Sequence, residues 1–162
     1  MGPGILLKAV LRSSFSLMVF GYANVLMDIQ PLVAMTSGQG ALHGWTHTWW
    51  AALVIGGFAG LSGKWLADGV LRWFAPVHDR PQPKVGPWIA FVSAYIGTLS
   101  HVALDSIVHP DVHPFAPWSD ARPWLGAVSS GTIEAGCLIF GFVGTVLYLV
   151  GLAFERRRAN RG

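Results

Sequence analysis

Apolar residues dominate four stretches of the chain, residues 9–27, 45–63, 88–108 and 132–154, separated by segments rich in charge, glycine or proline. About 20 mostly apolar residues carry an α-helix across the hydrocarbon core of a bilayer, so each stretch predicts a membrane span. The first is the most diluted, because Arg12 interrupts it and Ser13, Ser14 and Ser16 thin its apolar character. It spans only if Lys8 and Arg12 extend their charged ends to the interface. A cleaved signal peptide competes for the same stretch, with a basic start and an apolar middle but no clear small-residue cleavage site. The fourth stretch is the cleanest, with Glu134 alone near its beginning. Between the second and third, residues 64–74 predict a short amphipathic helix on the membrane surface, with Trp65, Trp73 and Phe74 as apolar anchors. Pro76, Pro81, Pro83 and Pro87 then mark a loop. The expected fold class is all-α: a polytopic membrane protein, a four-transmembrane-helix bundle with a short interfacial helix, in one domain over residues 1–162.

Composition agrees. Hydrophobic residues make up 52% of the 162 and charged residues 12%, about half the charge of a soluble domain. Mean hydropathy is +0.49. A soluble globule of this size has too few polar side chains here to cover itself, and disorder requires the opposite composition. The lone Cys137 excludes an intrachain disulfide and a cysteine-based zinc cluster.

The pI near 9.4 raises nucleic acid as a partner, but the basic residues trace no single face. They cluster at Lys8 and Arg12, at Lys64, Arg72, Arg80 and Lys84, and at Arg156, Arg157, Arg158 and Arg161, leaving Arg122 alone elsewhere. Such an alternation writes membrane topology and predicts both termini on the cytoplasmic side of the plasma (inner) membrane. Lipid is therefore the expected partner, and nucleic acid is not. Asp28, His43, His47, His101, Asp105, His109, Asp111, His113 and Glu134 then fall at the extracytoplasmic end, with Asp68, His78 and Asp79 opposite.

The spacings in that group carry chemistry. His43 and His47 are four residues apart, as are His101 and Asp105. On a helix this spacing stacks two side chains on one face, where they can chelate a metal. His109 follows Asp105 by four more residues, but Pro110 ends the helix there. Asp105 lies roughly 25 Å along the span from Trp88 at 1.5 Å per residue, which places it near the headgroups. Interfacial polar residues satisfied by water are the competing reading. His113 reads as a loop residue, Glu134 as a complement to a helix dipole, and His78 and Asp79 as solvated.

The motif Ser100-His101-Val102-Ala103-Leu104-Asp105-Ser106 resembles the Ser-His-x-x-x-Asp-Ser signature of the YdjM-like family, small inner-membrane proteins described as metal-dependent hydrolases. His43-Gly44-Trp45-Thr46-His47-Thr48 is similar to that family's His-x-x-x-His element, Asp28 to its early acidic element, and the stretch from His109 to Pro117 to the segment after the signature. Two positions depart. No histidine occurs in residues 1–27, and Gln30 stands where a second carboxylate is common. The resemblance implies a metal site more directly than it implies a reaction.

Residues and resemblance together predict a divalent metal (Zn, Mn or Fe, from imidazole and carboxylate donors without thiolate) held by His43, His47, His101, Asp105 and His109. Asp28 and Asp111 are the candidate catalytic carboxylates. The expected activity is hydrolysis, with a phosphoester of a lipid or lipid-linked molecule as substrate. A haem b protein ligated by His47 and His101 is one alternative. A non-catalytic metal-binding subunit or small transporter is another.

Overall fold

A computed structural model describes residues 2–40, 42–74 and 84–160. The predicted solvated pair His78 and Asp79, and the prolines at 76, 81 and 83, lie outside the described residues. The architecture is all-helical: α1 (Gly2–Leu11), α2 (Leu17–Met27), α3 (Ile29–Ser37), α4 (Trp49–Phe74), α5 (Pro87–Val108) and α6 (Ser130–Ala159), with single 3-10 turns at Arg12–Ser14 and Trp45–His47. Among the described residues, α4, α5 and α6 are long and apolar enough to cross a membrane, and α2 with α3 adds a fourth if that bent pair is one span.

The first predicted span is not one helix. Arg12 takes a left-handed φ of 49°, and the helix restarts where Ser16 caps α2 by accepting from the Val19 N–H at 3.3 Å. Lys8 Nζ donates to the freed carbonyls of Arg12 (2.7 Å) and Phe15 (2.8 Å). The serines that dilute the stretch therefore end one helix and start another. Farther on, α2 and α3 meet at Asp28 with a bend of 41°. Pro31 explains it, since its ring supplies no N–H to the carbonyl of Met27 and collides with it.

The predicted surface helix over 64–74 is corrected too, because it continues α4 without a break. Lys64 Nζ reaches Asp68 Oδ2 at 2.9 Å one turn on, and Asp68 Oδ1 accepts the Val85 N–H at 3.0 Å. These bonds tie the end of α4 to the start of α5, and Ala67 and Asp68 are buried there.

Helices α2, α4 and α5 pack on one another, whereas α6 packs mainly on α1. Buried Ala59, Ala67, Ala90 and Ala94 with Val19 and Ala23 form the centre of the three-helix unit. Small residues let backbones approach closely, the usual means of association where lipid supplies no hydrophobic drive. Gly97 shows the closeness: a Cβ there would stand 3.0 Å from the Phe20 carbonyl. In α6 only Gly144 is buried, and Leu138, Phe142 and Leu149 are exposed.

Candidate metal centre

Three breaks in the helices build the site. Asp28 sits at the bend between α2 and α3, His47 in the 3-10 turn ahead of α4, and His101 and Asp105 in the last two turns of α5. Thr48 sets the turn by donating to the Trp45 carbonyl at 2.7 Å while accepting from the Ala51 N–H at 3.3 Å. His43 and His47 are thus not neighbours on a helix face, as their spacing predicts. The chain bends at His43, yet the two rings still meet edge to face at 4.9 Å.

Four acceptor atoms converge. His47 Nε2 lies 3.2 Å from His101 Nε2 and 3.2 Å from Asp105 Oδ2, and His101 Nε2 lies 3.1 Å from the same oxygen. Asp28 Oδ1 is 3.2 Å from His101 Nε2 and 3.9 Å from His47 Nε2. A tetrahedral ion with bonds of 2.0–2.1 Å needs donors about 3.3 Å apart. The triangle of His47, His101 and Asp105 matches one face of such a centre.

The hydrogen-bond network assigns the ring protons. Asn24 Nδ2 donates to the Phe20 carbonyl at 2.7 Å, so its Oδ1, 3.0 Å from His101 Nδ1, accepts from that nitrogen. The Thr46 N–H donates to Gln30 Oε1 at 3.1 Å, which fixes that amide. Thr46 Oγ1 then donates its own proton to Gln30 Oε1 at 3.0 Å and accepts from His47 Nδ1 at 3.0 Å. Each neutral imidazole therefore carries its proton on Nδ1 and turns the Nε2 lone pair inward. Two lone pairs and two carboxylates face one small space, and a cation in that space relieves their mutual repulsion. His47 is fully buried and Asp105 largely so, leaving Asp28 as the member of the group open to solvent.

Asn24 and Thr46 were assigned no role from the sequence. An amide inside an otherwise apolar helix, four residues before Asp28, is the signal that marks Asn24. Gln30, read as a lost ligand, instead orients one through Thr46.

A second group adjoins the first. His43 Nδ1 lies 3.0 Å from each oxygen of Asp111, and the His43 N–H donates to Asp111 Oδ2 at 3.2 Å. His109 stacks on His43 with centroids 4.3 Å apart. Burial pushes the Asp111 carboxyl up, but hydrogen bonds from the ring and backbone of His43 more than offset it and leave it below the ordinary carboxylate range. Of the predicted residues, His113 and Glu134 stay apart from both groups. His113 Nδ1 stands 3.4 Å from Asp120 Oδ1, and Glu134 is exposed in α6.

No protein family, curated protein or solved structure matches the chain. The likeness to YdjM-like proteins rests on the short motifs alone.

Proposed function

We propose that the chain is a metal-dependent hydrolase of the plasma membrane, acting at its extracytoplasmic face on a phosphoester of a lipid or lipid-linked substrate. One observation carries the reading: two imidazole lone pairs 3.2 Å apart, with Asp28 and Asp105 against them and both Nδ1 atoms already bonded. His47, His101 and Asp105 would hold the ion, and their mixed donors suit Zn, Mn or Fe. The ion would supply a water acidified toward neutral pH and polarisation of the phosphoryl oxygen.

The chain's own groups do the rest. Asp28, whose side chain is 56% exposed, is open to an incoming molecule and takes the proton of the attacking water. That water forms the new bond to phosphorus as the ester P–O bond breaks, and Asp28 passes the proton it took on to the leaving oxygen. Asn24 and Thr46 keep the rings from turning. Apolar hollows flank the site, one of about 390 Å³ between Leu26, Trp45, Val54 and Phe58 with Gln30 and Thr46 at its edge. They offer an acyl or prenyl chain a place beside the polar centre, which favours a lipid over a soluble ester.

The geometry favours a compact ion over haem. Two carboxylates share the space between the imidazoles, leaving no slot for a macrocycle. Elemental analysis of detergent-purified protein, with a panel of chromogenic phosphoesters, tests the reading. Bound metal and hydrolysis that disappear together in His101→Ala support it. Metal without hydrolysis of any ester leaves a metal-binding subunit, and a folded, metal-free protein overturns it. The distribution of basic residues supports a cytoplasmic location for both termini. C-terminal reporter fusions check that placement, with cytoplasmic fluorescence and no periplasmic phosphatase activity expected.

A further inference from the structure

We propose that the same end of the bundle holds a second divalent cation, on His43, His109 and Asp111, so that the centre is binuclear. The inference rests on reading the first group as a metal site. Its own support is separate. One ligand atom from each of His43, His109 and Asp111 lies within 4.8 Å of the others, and the same holds for His43, His47 and Asp105. His43 thus stands between the two groups, within reach of both. Two ions at adjoining positions clamp the attacking and leaving oxygens of a phosphoester, a division of labour that one ion cannot provide.

The second group is built and held. Its His109 and Asp111 lie in the segment after α5, where an unpinned loop would scatter their side chains. Instead the Trp49 N–H donates to the Pro114 carbonyl and Trp50 Nε1 to the Ala116 carbonyl, both at 2.9 Å. Val112 is fully buried, and its N–H donates to the His109 carbonyl at 3.3 Å. The start of α4 therefore sets the position of residues 109–117, and with it the approach of His109 and Asp111 to His43.

A cavity of about 540 Å³ opens at this group, with His43, Asp111 and His113 at its polar end and Trp45, Trp50 and Pro117 along its apolar side. His113 Nδ1 makes no hydrogen bond there, although Asp120 Oδ1, also on the cavity wall, stands 3.4 Å away. With no hydrogen bond formed to Asp120, that nitrogen keeps bonding capacity that a ligand atom in the cavity can take up. The cavity joins that atom to the second cation site, so a phosphoryl group bound by the ion also has His113 within the same chamber.

Metal counting tests the proposal without any activity assay. Purified protein dialysed against excess Zn²⁺ or Mn²⁺ is expected to retain about two equivalents per chain. His109→Ala and Asp111→Asn, each in the segment outside the helices, are expected to retain about one. With Mn²⁺ the two-equivalent form should give an exchange-broadened electron paramagnetic resonance spectrum, and His109→Ala the spectrum of an isolated ion. One equivalent in the native chain, unchanged in both variants and lost in His101→Ala, overturns the second site and leaves the first standing. No metal in the folded native chain overturns both.

Discussion

The two halves of this molecule use helices for different ends. In the unit of α2, α4 and α5, the proposed ligands sit where helices bend, begin or end: Asp28 at the bend after α2, His47 in the turn ahead of α4, His101 and Asp105 near the end of α5. The pair of α1 and α6 keeps a long unbroken helix, almost all of whose side chains are exposed. Regular helix suits a surface that meets lipid, because all its backbone bonds are satisfied internally. Chemistry needs donors from separate segments aimed at one point, and breaks in helices provide that aim. In this reading the first unit is the catalytic body and the second a wall.

Asp105→Asn should break that contrast most severely. It removes the anionic donor shared by both rings, so the variant is expected to lose its bound metal and hydrolytic activity. Chelator should lower the thermal unfolding temperature of the native protein and leave the variant's unchanged, since a ligand at 100 times its Kd adds about 2.7 kcal/mol. Asn24→Ala acts one step removed. With the His101 ring free to turn, metal affinity should fall roughly 10–100-fold, the usual cost of losing a partner behind a ligand, and competition with a fluorescent chelator reads it.

Gly144→Val tests the wall. A Cβ there would press on the backbone of Leu6, so α1 and α6 should separate at a cost of about 1–3 kcal/mol, seen in detergent unfolding. Metal content should stay at the native level; a parallel loss would show that the two units act as one. The smallest effect is expected from Glu155→Gln, which removes the ion pair with Arg12 between two exposed side chains. Such pairs are worth about 0–1 kcal/mol, and the unfolding temperature should barely move.

What the sequence disclosed divides along the same line. The body of α4, α5 and α6 is visible in hydropathy because length and apolar character are properties of a stretch of chain by itself. The restart at Ser16 and the bend at Asp28 are visible only in part, although Pro31 and the serines were there to be weighed. The proposed ligand pairs were read from helical spacing, which holds for His101 and Asp105 on α5. For His43 and His47 the helix face that the spacing predicts is absent, and a bend and a 3-10 turn bring their rings together instead. Asn24 and Thr46 escaped because their partners decide their roles. Asn24 is 77 positions from His101, and no local pattern records that meeting.

The order of the segments along the chain also sets a timetable. Every proposed ligand precedes residue 112, and α6 follows them all. At roughly 5–20 residues per second of synthesis, α2, α4 and α5 leave the ribosome several seconds before the end of α6. Nothing in the ligand set waits for α6, so the centre can take up its ions while the last helix is still being made. Maturation would then proceed from the site outward, with α6 closing onto α1 over a body already stiffened by its metal.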